Sequence, residues 1–151
     1  MRQDATDRSR MRHRIFIHVI WTTRDRLPLI DAEVAEYLGA NFPIIARQER
    51  ANVLDVGIVR THVHLLVRLH PTTSITRLLQ RIKGGTAAGV NKRCPTMDLR
   101  WAKGYNVDSV SQRALNAVGS YVREQHLHHP REAIDGWPEH GVDDAPARTS
   151  L

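Results

Sequence analysis

The stretch Arg60-Thr61-His62-Val63-His64-Leu65-Leu66-Val67 sets two imidazoles two residues apart in an otherwise apolar run. On a β-strand, successive side chains alternate between faces, so His62 and His64 project together while Val63, Leu65 and Val67 project the other way. The two rings then stand about 7 Å apart along the chain, within reach of one metal ion or one phosphate. The spacing alone is weak evidence. The chain holds nine histidines in 151 residues, and His126-Leu127-His128 repeats the spacing in a helical pattern, where those two would not share a face.

A second group of chemically able residues sharpens the reading. Tyr121 and Gln125 stand at i and i+4 of an expected helix, one turn apart, with roughly 5–6 Å between Cβ atoms. The face made by Ala117, Tyr121, Gln125 and His128 is poor core material, whereas Leu115, Val118 and Val122 form the apolar stripe. Turned toward the histidine strand, that face would gather two imidazoles, one amide oxygen and one phenol. Such a set can hold a divalent metal on a phosphate and present a nucleophile to phosphorus. His18 lies on a strand that could neighbour the site. Tyr105 is a competing phenol, expected to pack or cap its strand, and Trp21 and Trp101 are read as core rather than as base-stacking platforms.

The elements that must position these groups are legible in order. Residues 13–22 alternate as a strand with both faces partly covered. Asp31 caps a helix with Val34, Leu38 and Ile45 inward, which Gly39 and Pro43 should weaken or bend. A strand over 52–59 leads into the histidine strand as its antiparallel neighbour. Ser74 caps a second helix with Ile75, Leu78, Leu79 and Ile82 inward; Gly84-Gly85 interrupts its pattern, so it either continues to about Val90 or stops there. Arg77, Arg81 and Lys83 face outward, an ordinary solvated face that becomes a set of candidate DNA contacts beside a phosphate site, with Lys103 further on. Residues 101–110 read as the last strand, and Ser111 caps a third helix running to about His128.

The order β-α-β-β-α-β is the ferredoxin-like, RRM-like split βαβ arrangement. It predicts an α+β fold with an antiparallel sheet and two helices on one face. The additional C-terminal helix, which carries the tyrosine, has no place in that two-layer unit and must cover the open face, extend an edge or pack on a partner subunit. The expected boundaries are a flexible basic arm over 1–12 with four arginines, one domain over 13–129, and a polar tail over 130–151.

Composition bounds the rest. A hydrophobic content of 41% with 25% charged residues suits a soluble globular chain. No run approaches the roughly 18 apolar residues of a membrane span and no signal peptide is evident, which gives the expectation of a cytoplasmic protein. The lone Cys94 excludes an internal disulfide framework. A net charge of +6 favours an anionic partner.

The ordered set Val19-Ile20-Trp21, His62-Val63-His64, Lys83-Gly84, Trp101-Ala102-Lys103-Gly104-Tyr105-Asn106-Val107 and Tyr121-Val122-Arg123-Glu124-Gln125 resembles the single-tyrosine HUH transposases of small insertion sequences, over about residues 13–128. REP-associated tyrosine transposases are relatives of that family. The resemblance implies that His62, His64 and Gln125 bind Mg²⁺ or Mn²⁺. It also implies that Tyr121 attacks single-stranded DNA, leaving a 5′-phosphotyrosine and a free 3′-OH. It implies hairpin-containing element ends as partners, and a homodimer whose tyrosine helix completes the partner's histidine site. The sequence departs from the family at Thr61, where members often carry an acidic or amide residue; a threonine brings no carboxylate to the site. Rival readings are a domesticated relative processing repetitive palindromic DNA, a non-catalytic single-stranded nucleic-acid-binding module, and a metal-binding regulatory domain in which Tyr121 is dispensable.

Overall fold

The computed structural model describes residues 12–137. Its sheet is built from β1 (Ile15–Thr22), β2 (Ala51–Ile58), β3 (His62–Leu69) and β4 (Asn106–Val110) in the order β2-β3-β1-β4. Every pairing is antiparallel. The two central strands, β1 and β3, have their Val, Leu, Ile and Trp side chains split between two buried faces, as strands covered on both sides must.

One face meets α1 (Ala32–Gln48) and α2 (Ile75–Arg93). Val19 and Trp21 of β1 and Val63, Leu65 and Val67 of β3 pack there with Leu38, Phe42, Leu78 and Ile82, all buried. The caps act as expected: the Val34 amide donates to Asp31 Oδ1 at 2.9 Å and the Arg77 amide to Ser74 Oγ at 3.2 Å. Helix α1 runs unbroken through Gly39 and Pro43. Helix α2 continues through Gly84-Gly85 to Arg93, and two of its glycines, Gly85 and Gly89, lie close against α1. A Cβ at Gly89 would overlap the Tyr37 hydroxyl of α1.

The opposite face is covered by α3 (Leu115–Arg123), followed by a single turn, α4 (Gln125–His128). Phe16, Leu66, Leu115 and Val122 form a small buried cluster between α3 and the sheet. The additional helix therefore takes the open-face option among the three places open to it.

Three expectations are corrected. The third helix is not continuous from Ser111: a 3-10 turn over Gln112–Ala114 precedes α3 with no side-chain cap from Ser111, and non-helical geometry at Glu124 (φ −98°, ψ 25°) separates α3 from α4. The last strand begins at Asn106, because Trp101 makes an isolated bridge to Thr23 and the chain then turns through Gly104 at φ 83°. The tail boundary at 130 is also too early. Ile134 is buried in the main core and the Trp137 ring seats against Gly39 of α1, 3.3 Å from where a Cβ would stand. Residues 1–11 of the basic arm and 138–151 lie outside the described residues.

Candidate active site

His62 and His64 alternate with the core residues of β3 and fall on the face shared with Phe16, Leu66 and α3. Pairing of β1 with β3 sets Ile20 opposite His64 and Thr22 opposite His62. His18, two residues before Ile20, is thereby a diagonal neighbour of His64 on the same face. Its Nε2 lies 2.9 Å from His64 Nδ1, with the two rings stacked at 5.1 Å between centroids.

Helix α3 brings the phenol to this face. The Tyr121 ring stands edge-on to His64 and to His18, with centroids 5.8 and 6.0 Å away, and packs at 4.7 Å against His128. Tyr121 is 41% exposed, so one edge of the group is open to a ligand. What fixes α3 here is partly electrostatic: Arg123 Nη1 donates to the buried Asp55 Oδ1 on β2 at 2.7 Å. The rest is backbone approach. Gly57 pairs with His64 across the β2–β3 ladder. A Cβ on Gly57 would overlap the Val122 carbonyl oxygen and come within 2.8 Å of Gln125 Cγ.

The Glu124 break alters the geometry expected for Tyr121 and Gln125. They do not share one environment: Tyr121 is 41% exposed, whereas Gln125 is 1% exposed and its Nε2 donates to the Tyr121 carbonyl at 2.7 Å. Gln125 Cγ lies against Gly57, the cross-strand partner of His64. The Gln125 Oε1 is buried and accepts no hydrogen bond from the described residues. A buried acceptor of this kind is costly unless something is present to use it.

Electrostatics keep the imidazoles neutral. Burial, joined by the repulsion that a charge on His64 would meet from its neighbours His62 and His18 if they were protonated, pushes His64 down to about 3. Burial likewise pushes His62 down to about 4, against the opposing pull of Glu132. His18 is also lowered, chiefly by burial. Neutral rings retain a nitrogen lone pair at pH 7, which is what a divalent metal requires.

Two further groups complete the surroundings, both missed by the sequence reading because they fall at or beyond its tail boundary. His129 meets the His62 ring edge-on at 4.9 Å. Glu132 accepts from Thr61 Oγ1 at 2.6 Å, and its other oxygen lies 3.7 Å from His62 Nδ1 and 3.6 Å from His129 Nδ1. His62, His129 and Glu132 each offer a ligand atom within 4.8 Å of the others.

The candidate DNA contacts are not gathered at this face. Arg77 and Arg81 lie on α2, across the sheet, and both bind Glu49, at 2.6 and 2.7 Å. Lys83 was read as outward-facing; its Nζ instead donates to the carbonyls of Ala102 and Gly104 at 2.7 and 2.8 Å, clamping the turn that holds the exposed Lys103. Burial lowers its pKa. Trp21 is core, Trp101 packs beside it while donating to Thr86, and Tyr105 stands next to Thr76.

A four-stranded antiparallel sheet with two helices on one face and a third on the other is the fold that the comparisons share. Residues 11–125 match the family described as Transposase IS200 like, and the chain belongs to that family. Over 115 residues it is 26% identical to the ISDra2 transposase TnpA of Deinococcus radiodurans, across 72% of this chain and 82% of that relative. Its fold is similar to the crystal structure of a D. radiodurans R1 protein assigned as a transposase, with a TM-score of 0.63 and 21% identity over 83% of this chain and 95% of that one. It is also similar to a REP-associated tyrosine transposase bound to a REP hairpin, with a TM-score of 0.60 and 13% identity over 90% of this chain and 76% of that one. Among the described residues no helix is long and apolar enough to cross a membrane.

Proposed function

We propose that this transposase is a metal-dependent single-stranded DNA transesterase in which Tyr121 is the nucleophile and His62, His64 and Gln125 hold a divalent metal, Mg²⁺ or Mn²⁺. The observation that carries the reading is the Tyr121 ring standing over His18 and His64, with the buried, unbonded Gln125 Oε1 on a side chain packed against Gly57, the cross-strand partner of His64. The donor set fits such an ion: two neutral imidazoles and one amide oxygen, the last without a hydrogen-bond donor among the described residues. When bound, the metal supplies charge neutralisation at a nonbridging phosphate oxygen and orients the scissile bond.

The chain's own residues do the rest. Tyr121 Oη attacks phosphorus, the new O–P bond forms as the P–O3′ bond breaks, and the departing 3′ oxygen takes up a proton. A free phenol has a pKa near 10, so its proton needs an acceptor close by. His128 packs against the ring and is the imidazole placed to receive it, since His18 Nε2 is engaged with His64. The 5′-phosphotyrosine preserves the phosphodiester energy, so a 3′-OH attacking the same phosphorus releases Tyr121 and joins new ends. That is strand transfer as well as cleavage.

The partner in this reading is single-stranded DNA with a hairpin, which the hairpin-bound relative supports. A homodimer belongs to the same proposal; in place of the sharing between subunits that the resemblance implies, the contacts of Tyr121 with His18 and His64 within one chain favour each tyrosine serving its own histidines. The test is incubation of wild type and Tyr121→Phe with labelled single-stranded DNA from the flanks of the gene, in Mg²⁺, Mn²⁺ or EDTA. A metal-dependent adduct on a denaturing gel, lost in Tyr121→Phe, supports the proposal; tight binding without adduct on any flank favours the binding-module reading.

A further inference from the structure

We propose that Glu132 is a positioning residue for His62: acting through the Thr61 hydroxyl, its carboxylate holds the imidazole proton on Nδ1 and leaves Nε2 as the ligand atom. The inference deepens the proposed metal site and rests on His62 belonging to it. Glu132 lies beyond the segment that matches the family, residues 11–125. It restores by tertiary structure the carboxylate that Thr61 lacks in sequence.

The argument is a count of protons. Thr61 Oγ1 carries one hydrogen and donates it to Glu132 Oε1 at 2.6 Å. The same oxygen lies 3.0 Å from His62 Nδ1. With its only proton already given, the hydroxyl accepts there, so Nδ1 is the donor and bears the hydrogen. A neutral imidazole has one N–H, and Nε2 is then the lone pair. Thr61 and His62 are 7% and 4% exposed, so water does not compete for the chain of bonds.

Glu132 is held for this task from both sides. The Arg60 amide donates to the Glu132 carbonyl at 2.8 Å, and Arg60 Nε donates to the Ala133 carbonyl at 2.9 Å. The Glu132 amide donates to the His129 carbonyl at 3.0 Å, and buried Ile134 anchors the segment two residues on. A carboxylate tied at its own backbone costs little entropy to aim. Direct ligation of a metal by His62, His129 and Glu132 through His62 Nδ1, the nitrogen 3.7 Å from the carboxylate, would displace the hydrogen that the Thr61 hydroxyl accepts.

The test uses full-length protein labelled with ¹³C,¹⁵N-histidine, with ring shifts reporting the His62 tautomer and Mn²⁺ titration followed by electron paramagnetic resonance. Wild type is expected to show the Nδ1–H form without metal. Thr61→Val should lose that preference and bind Mn²⁺ about 10–100-fold more weakly. Thr61→Ser should restore both, Glu132→Gln should weaken Mn²⁺ binding by a smaller factor, and His129→Ala should leave the tautomer and the affinity as in wild type. A thermal melt of each variant confirms folding, and the isosteric Thr61→Val keeps the test open should a Glu132 variant unfold. An Nε2–H tautomer in wild type, unchanged behaviour in Thr61→Val, or a loss in His129→Ala equal to that in Glu132→Gln overturns the relay. Failure of the underlying metal reading looks different: His64→Ala would bind Mn²⁺ as well as wild type, while the tautomer, read without metal, still reports on Glu132.

Discussion

His18 Nε2 and His64 Nδ1 lie 2.9 Å apart on adjacent strands, close enough that the two neutral rings share one proton. When His64 donates that proton, its Nε2 keeps its lone pair and its ring orientation is set from the neighbouring strand. His18 thus stands behind His64 much as Thr61 and Glu132 stand behind His62.

Removing His18 should therefore weaken metal binding without unfolding the chain, because its side chain is not part of either apolar cluster. His18→Ala is expected to raise the Mn²⁺ dissociation constant about 10-fold or more, as loss of a group orienting a ligand does. Mn²⁺ titration of the variant checks this; wild-type affinity would remove His18 from the account.

Acid should destabilise the fold in a defined window. His62 and His64 hold folded pKa values of about 4 and about 3, below the usual 6.5, because burial disfavours the charged ring. As pH falls through 6.5 the unfolded chain takes protons that the folded chain refuses until about pH 4. Stability is then flat above 6.5 and declines between 6.5 and 4, by up to about 1.4 kcal/mol per pH unit for each ring. His18 adds a loss of the same sign. Urea midpoints from pH 7.5 to 4.5 measure it, and His64→Gln should show a shallower slope; a midpoint that does not change below 6.5 would contradict the burial argument.

Gly57 should tolerate no side chain. A Cβ there meets a backbone carbonyl of α3, which cannot swing aside as a flexible side chain could. Gly57→Ala should cost about 1–3 kcal/mol, as overpacking does. It should abolish adduct formation at temperatures where the protein is still folded, since the displaced elements carry Tyr121 and Gln125. Full activity in Gly57→Ala would show that α3 need not dock on β2.

The use of Tyr121 within one chain has its own test. Mixing Tyr121→Phe with His64→Ala should restore no adduct when each tyrosine serves its own histidines, as the 5.8 Å contact between Tyr121 and His64 favours. Restored adduct, to about a quarter of the wild-type level for a random mixture, would mean that α3 reaches the partner's site in the dimer.

The strand bearing His62 and His64 was legible because a two-residue period admits only one assignment of faces, and the order of elements then pointed to the sheet. Other features depend on long-range placement. The stacking of His18 on His64 follows from strand register, which no local pattern encodes. The break at Glu124 has no Gly or Pro to announce it, so Tyr121 and Gln125 read as neighbours on one continuous helix face although the Gln125 side chain is buried. Glu132, Ile134 and Trp137 sit among polar residues without periodicity, and two isolated apolar side chains do not signal that a segment is packed. Lys83 looked solvated because the carbonyls it clamps are nineteen and twenty-one residues away.

The central claim is that Tyr121 becomes covalently bound to DNA, and peptide mapping of the adduct tests it most directly. Wild-type protein would be trapped on flank-derived single-stranded DNA with Mn²⁺, digested with nuclease and protease, and read by mass spectrometry for the peptide carrying a 5′-linked nucleotide. The account predicts the modification on Tyr121, absent in EDTA. Modification of Tyr105, or an adduct that forms equally well without metal, would contradict it.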